Sequence, residues 1–191
     1  MSHPEDLVAV LDANVLYPQW LRDVVLTLAV MGYFNPIWSD RIHGQMRRKV
    51  LSDHPDIDPQ RFDDTTIAAL RATFPDAWVD VPDDLVAEMD NGPEDRHVLA
   101  APIAADAHLI VTANTSDFRS PRFVEACHVT VEDPATFLTT VLDDHPDLMS
   151  SMLWHLATSR RNVATINDVL EQFACNEALR PFVEHAPTTL L

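Results

Sequence analysis

Acidic and amide side chains follow two short apolar runs of this chain. Asp12 and Asn14 come directly after Leu7–Leu11, and Asp117 follows Leu109–Thr112 by a few residues. Oxygen ligands of this kind suit the hard cations Mg²⁺ and Mn²⁺ and argue against zinc. Carboxylates held close together repel one another unless a cation offsets their charge. The spacing alone leaves two interpretations open: a divalent-metal site, or carboxylates that only cap turns.

The strands that would position these side chains are predicted by apolar runs. Such runs are typical of parallel strands buried on both faces, and their alternation with helices indicates an α/β fold. Ligands of open parallel sheets bind beyond the carboxyl ends of the strands, where Asp12 and Asp117 would lie. The four predicted strands are Leu7–Leu11, Trp78–Val81, Leu109–Thr112 and His128–Val131.

Helices are predicted between the strands from apolar residues at helical spacing. Pro18 opens the first helix, which ends near Gly32, and Ser39 is the expected N-cap of the second. Gln45 lies next to the apolar positions of this second helix, so we expect its side chain to lean inward. Further helices are predicted at 60–73, 85–89 and 95–108.

The sequence pattern changes after residue 134, because no further strand is predicted there. We therefore expect a sheet-containing domain at 1–134 and a small all-helical C-terminal extension at 135–191. An amphipathic extension of this kind covers a core or a dimer face more often than it carries chemistry. Its predicted helices are 135–143, 147–158, 163–176 and 177–185.

Length and composition exclude several classes of protein. Of the 191 residues, 47% are hydrophobic, which excludes a disordered chain, and no apolar run approaches the ~18 residues of a membrane span. The first residues lack the basic and apolar segments of a signal peptide, so we expect a cytoplasmic protein. Cys127 and Cys175 show no CxxC spacing, which gives no indication of a disulfide framework or a cysteine zinc site.

The net charge bears on which partners this chain can bind. Thirteen basic and thirty acidic residues give a formal charge of −17. Such a charge excludes a protein that is held to nucleic acid by its overall field, because phosphates would be repelled. It allows an acidic pocket that collects divalent cations, and it allows a basic partner.

Four segments, in order along the chain, resemble PIN-domain nucleases. They are Val10–Pro18, Pro36–Ile42, Glu94–Ala101 and Ile110–Phe118. Taken together they are most similar to the VapC-like branch of toxin–antitoxin ribonucleases, including members with an extra C-terminal helical part. The resemblance covers about residues 7–132 and implies a PIN-like parallel sheet flanked by helices.

This resemblance implies metal-assisted hydrolysis of RNA phosphodiesters by one or two Mg²⁺ or Mn²⁺ ions. It also implies a cognate antitoxin and a homodimer as partners, with no membrane. The metal ligands implied are Asp12, Asp95 and Asp117. The supporting side chains are Asn14, Glu94, Thr112 and Asn114.

Gln45 departs from the family pattern, because the second acid of the family, a glutamate, aligns with it. A glutamine can accept a hydrogen bond but brings no charge and cannot act as a base. The substitution is either natural weakening of the site or a deliberate inactivation. It keeps open an alternative function, a catalytically impaired PIN-fold protein that sequesters antitoxin or RNA.

Arginines near the predicted acids are the candidates for RNA binding, since phosphate contacts would make binding salt-dependent. A run of charges is otherwise usually a solvated face. A rival interpretation, a receiver-type signalling domain, needs a lysine after a late strand, whereas Lys49 is the only lysine and lies early in the chain. The RNA-binding candidates are Arg22, Arg41, Arg47, Arg48, Arg96 and Arg119.

Overall fold

The computed structural model describes residues 7–118, 128–160 and 165–186. These residues form an α/β fold in which helices surround an all-parallel sheet, as the sequence predicts. Within them, no helix has both the length and the apolar character needed to cross a membrane.

The sheet of the described residues consists of β1 Val8–Leu11, β2 Asn35–Ile37, β3 Leu109–Val111 and β4 Thr130–Glu132, in the order β2-β1-β3-β4. β1 and β3 are the central strands, and the last three residues of β1 and all of β3 are buried. In the register of the central pair, Leu11 lies opposite Val111, so the two strands end side by side.

The strand predicted at Trp78–Val81 is wrong, and the sheet uses Asn35–Ile37 instead. Trp78 forms only an isolated bridge with Trp38, which adjoins the end of β2. β2 is a three-residue edge strand that contains Pro36, so it has no apolar run that a sequence pattern could detect. The proline is tolerated there because an edge strand does not need every backbone N–H for pairing.

Eleven α-helical segments occur in the described residues. The helix predicted at 60–73 is interrupted by a π-helical turn, Asp63–Ile67, between α4 and α5. The helices are α1 Ala13–Leu16, α2 Gln19–Val30, α3 Asp40–Asp53, α4 Pro59–Phe62, α5 Ala68–Thr73, α6 Asp83–Glu88, α7 Arg96–Ala105, α8 Pro134–Asp144, α9 Pro146–Ser159, α10 Ile166–Ala174 and α11 Arg180–His185.

The helices after residue 134 pack on the sheet-containing part through α2. The rings of Trp20 and Phe173 meet edge to face at 6.2 Å. The guanidinium of Arg160 lies 3.7 Å from the centre of the Trp20 ring and pairs with Asp23. Buried residues of both parts therefore belong to one hydrophobic cluster. The domain boundary near residue 134 stays a prediction.

The N-terminal half of α3 packs against two tryptophans through His43, whose side chain is buried. The His43 ring centre lies 4.2 Å from that of Trp78 and 5.3 Å from that of Trp38. Neither ring nitrogen has a hydrogen-bond partner among the residues that the structure describes. Burial is the main reason that the pKa of His43 falls to about 4, and the positive charge of Arg71 adds to it. The imidazole is therefore neutral in the folded protein at neutral pH.

Replacing His43 by phenylalanine should remove part of the acid sensitivity of the fold. Because the pKa of His43 is lower in the folded than in the unfolded chain, its contribution to stability is present above about pH 6.5 and is lost toward about pH 4. Between about pH 7.5 and pH 5 the wild type should lose about 2 kcal/mol more free energy of unfolding than His43→Phe. Urea unfolding at the two pH values measures the difference.

The matched control is His54→Phe, at the exposed C-cap of the same helix. This variant should keep the pH dependence of the wild type. An equal loss of stability in His43→Phe and the wild type would contradict the role assigned to the buried imidazole.

Candidate active site

The parallel pairing of β1 with β3 brings Asp12 and Thr112 together at the carboxyl ends of the two strands. The backbone N–H of Asp12 donates to the carbonyl of Val111 at 3.1 Å, which continues the ladder by one residue. The Thr112 hydroxyl donates to Oδ2 of Asp12 at 2.7 Å, and both side chains are buried. Two residues that lie 100 positions apart thus form the base of the site.

The Asp12 carboxylate is held by three donors. Its Oδ1 accepts from the N–H of Ala13 at 2.6 Å, so that Asp12 is the N-cap of the one-turn helix α1. Its Oδ2 accepts from the Thr112 hydroxyl and, at 2.8 Å, from Nδ2 of Asn14. A carboxylate has about four acceptor positions, so one position on Oδ1 remains for a ligand such as a cation.

Asn14 and Asn114 support this arrangement in different ways. Oδ1 of Asn14 accepts from the N–H of Ala113 at 3.0 Å, which fixes the amide between the two strand ends. Asn114 acts through its backbone, because its N–H donates to the Thr112 hydroxyl at 3.1 Å and its carbonyl accepts from Asp117 at 3.0 Å. Asn114 itself is exposed.

Asp95 lies among the other predicted acids of the site. It occupies the N-cap position of α7 and is partly exposed. Burial raises its pKa, and the negative charges of Asp117 and Glu94 raise it further. The charge of Asp95 in turn adds to the rise in the pKa of Asp12. The structure therefore places Asp95 within electrostatic range of Asp12, Glu94 and Asp117.

The pKa of Asp12 is raised chiefly because its carboxylate is buried. The hydrogen bonds from Thr112, Ala13 and Asn14 oppose that rise, since they stabilise the charged form. The ionised carboxylate is thus the costly state of a buried group, and a bound cation would relieve the cost.

Gln45 is fixed at both ends of its amide between α3 and α7. Its Nε2 donates to the carbonyl of Glu94 at 3.3 Å, and its Oε1 lies 3.0 Å from Nε2 of His97. Burial lowers the pKa of His97, and the charges of Arg41 and Arg48 lower it further. The inward orientation that the sequence predicts for Gln45 is therefore confirmed. Its side chain contacts the segment that carries Asp95.

His97 is a site residue whose role the sequence did not reveal. Its position in α7, two residues after Asp95, marks it only as a histidine on a buried helix face. The contact with Gln45 joins positions that lie 52 residues apart, and nothing in either local pattern indicates it. The only indication in the sequence is the apolar face of α3, which predicts that another element of the fold packs on the side of the helix that carries Gln45.

Several of the arginines proposed to bind RNA are engaged within the protein. Arg22 is largely buried and donates to the last carbonyl of α1 at 3.0 Å. Arg47 forms two hydrogen bonds with Asp63, at 2.6 and 2.8 Å. Arg96 donates through Nε to a carbonyl of the loop that precedes α7. Arg119 lies outside the described residues.

Arg41 and Arg48 remain as exposed arginines beside the site. They occupy positions i and i+7 of α3, with Gln45 at i+4, so all three lie on one stripe of the helix. Arg41 makes a surface ion pair with Asp83 at 3.1 Å, which costs little to exchange for another anion. The stripe therefore places one accessible guanidinium group on each side of Gln45.

The donor set is suited to a hard divalent cation. Within the part of the chain that the structure describes, no three His, Cys, Asp or Glu side chains are grouped closely enough to hold a metal ion as they stand. Cation binding would therefore have to draw Asp95 or Asp117 closer to Asp12. The donors fit Mg²⁺ or Mn²⁺ because they are all oxygen atoms, carry excess negative charge and leave an acceptor position open on Asp12.

Comparisons with known proteins add no assignment, because no protein-family model, curated protein or solved structure matches this chain.

Thr112→Val should destabilise the fold, because valine keeps the shape of threonine but removes the hydroxyl. Asp12 would lose a donor, and the N–H of Asn114 would lose its acceptor. We expect a loss of about 2 to 3 kcal/mol in the free energy of unfolding, measured by urea unfolding. Thr112→Ser retains the hydroxyl and should lose only about 1 kcal/mol, for the missing methyl group. A valine variant as stable as the serine variant would refute the role of this hydroxyl.

Proposed function

We propose that this chain is a metal-dependent endoribonuclease with a PIN-like fold, and that it acts as the toxin of a type II toxin–antitoxin system. The observation that carries the proposal is the buried Asp12 carboxylate, which three donors orient with one acceptor position left open. Asp95 lies within electrostatic range of Asp12, and Asp117 and Glu94 lie within electrostatic range of Asp95. The all-parallel sheet, with the site at its carboxyl end, supports a PIN-like fold.

The proposed reaction is hydrolysis of an RNA phosphodiester bond. Bound Mg²⁺ or Mn²⁺ would supply polarisation of the phosphate and a water of lowered pKa. Asp12 would hold the cation through its open acceptor position, with Asp95 and Asp117 as the further ligands. Thr112 and Asn14 keep the Asp12 carboxylate in one orientation, so that little reorganisation accompanies the reaction.

The proposed path of the RNA follows the stripe formed by Arg41, Gln45 and Arg48. These arginines flank the segment of α3 that contacts the Glu94 carbonyl, so phosphates bound to them would lie next to the acids. The rest of the surface repels RNA, because the chain has a formal charge of −17. Binding confined to a few arginines should weaken as the salt concentration rises.

The proposed protein partners are a cognate antitoxin and a second copy of this chain, and the proposed location is the cytoplasm. These proposals depend on the resemblance to VapC-like toxins. The strongly acidic surface supports a partner with basic residues, because opposite charges steer association.

The second candidate function is a catalytically impaired PIN-fold protein that sequesters antitoxin or RNA. The geometry of Gln45 favours it, because both ends of the amide already have partners, the Glu94 carbonyl and His97. An amide fits there without adding charge to the site. The two functions differ in whether the chain hydrolyses RNA when Mn²⁺ is supplied.

RNA cleavage at millimolar Mn²⁺ tests the proposed function. The wild type should cleave a single-stranded RNA slowly, and Gln45→Glu should cleave it about tenfold faster. The carboxylate adds negative charge next to the segment that carries Asp95 and still accepts from His97, although it gives up the weak donation to the Glu94 carbonyl. Asp12→Asn should abolish cleavage. The rate is measured from the fraction of labelled RNA that remains intact.

Gln60→Glu is the matched control, since it makes the same change of charge on an exposed side chain in α4. Its rate should equal that of the wild type. A Gln45→Glu rate at or below the wild-type rate would show that Gln45 is not the defect. Absence of cleavage by both the wild type and Gln45→Glu would favour the second candidate function, a protein that sequesters antitoxin or RNA.

A further inference from the structure

A cleft of about 410 Å³ lies beside the N-terminal end of α3, next to the proposed RNA path. It opens between this end of α3, the last turn of α5 and the segment that follows Trp78. Its polar and aromatic lining is formed by Ser39, Asp40, Arg41, Arg71, Trp78, Asp80 and Asp83.

Arg71 and Trp78 form one wall of the cleft, and His43 packs against Trp78. The Arg71 guanidinium lies 3.7 Å from the centre of the Trp78 ring, and the His43 ring centre lies 4.2 Å from the same point. The indole of Trp78 therefore contacts both side chains, and its ring is tilted by 40° from that of His43. Asp40 also holds Arg71, at 2.9 Å. The result is a guanidinium fixed flat at the cleft wall.

Arg71 offers a surface on which a nucleobase can stack. Its side chain is 53% exposed, so its flat group is accessible although one face covers Trp78. Guanidinium planes bind unpaired RNA bases by stacking, in the same way as aromatic rings do. Because Asp40 and Trp78 already orient the group, little side-chain entropy would be lost when a base binds.

The acidic side of the cleft favours certain base edges. Asp80 is an exposed carboxylate of the lining, whereas Asp83 is already paired with Arg41. An ionised carboxylate can only accept hydrogen bonds. Guanine presents two adjacent donors, its N1–H and its amino group, which match the two oxygens of one carboxylate. Uracil presents a single N–H between two carbonyl oxygens, and a carboxylate would repel these oxygens. The cleft is therefore suited to guanine and unsuited to uracil.

The cleft is one helical turn away from Gln45, which contacts the segment that carries Asp95. Arg41, which lines it, precedes Gln45 by four residues on α3, a rise of about 6 Å. Gln45 in turn contacts the carbonyl of Glu94, next to Asp95. We infer that the cleft is a nucleobase subsite that stacks a base on Arg71 and selects guanine over uracil beside the phosphate to be cleaved. The place of the subsite along the RNA rests on the proposed function.

Nucleotide binding without metal tests the subsite independently of catalysis. The full chain is titrated with 5′-GMP and with 5′-UMP in the presence of EDTA, and binding is followed by tryptophan fluorescence and calorimetry. GMP should bind at least about fivefold more tightly than UMP, the discrimination of one good pair of hydrogen bonds. Equal affinities, or no GMP binding at millimolar concentration, would overturn the proposal.

Three variants separate the two parts of the subsite. Asp80→Asn should reduce the preference for GMP at least threefold, whereas Asp56→Asn, an exposed loop carboxylate elsewhere, should leave it unchanged. Arg71→Lys keeps the charge but removes the flat stacking surface, so it should weaken both nucleotides alike. An unchanged preference in Asp80→Asn, or unchanged binding in Arg71→Lys, would contradict the subsite.

Failure of the subsite and failure of the nuclease proposal give different results. Mn²⁺-dependent RNA cleavage together with equal GMP and UMP binding would overturn the subsite alone. A guanine preference together with no cleavage at any Mn²⁺ concentration would support the subsite and overturn the nuclease.

Discussion

The burial of one carboxylate at the end of β1 is the constraint on which the rest of the site depends. Asp12 is only 4% exposed, and an ionised group at that depth is tolerated only when donors surround it. The parallel pairing of β1 with β3 supplies the Thr112 hydroxyl, and the turn into α1 supplies the N–H of Ala13. Both β-strands must end in register for this to happen, so the fold and the chemistry share one requirement.

A second constraint links α3 to α7 through Gln45. The amide contacts the Glu94 carbonyl and His97, so the segment that carries Asp95 is held against α3. The same helix, α3, carries Arg41, which lines the neighbouring cleft together with Arg71. The stripe of α3 therefore connects this cleft to the segment that carries Asp95. In a chain of such negative charge, the proposed RNA path follows this surface because its arginines would compensate the phosphates.

The α/β class and three of the four strands could be predicted because apolar runs report burial directly. β2 could not, since its three residues include Pro36 and its pairing depends on β1 rather than on its own pattern. The segment Trp78–Val81 forms no strand because Trp78 packs on Trp38 and His43 outside the sheet. Periodicity shows that a residue is buried but not which neighbour buries it.

Residues of the site that precede or follow strands could be identified from the sequence, because strand ends meet at one edge of a parallel sheet. The partners of the arginines could not be identified from the sequence, since the pairing of Arg47 with Asp63 depends on how α3 packs beside the π-helical turn. The same holds for the contact of His97 with Gln45, which only the packing of two helices creates.

The central claim is that the acids around Asp12 bind a divalent cation, and thermal unfolding with and without Mn²⁺ tests it most directly. A cation that binds only the folded chain stabilises it by mass action, so the Tm of the wild type should rise by several degrees at millimolar Mn²⁺. Asp12→Asn should show no such rise. Equal shifts in the two proteins, or none in either, would contradict the account.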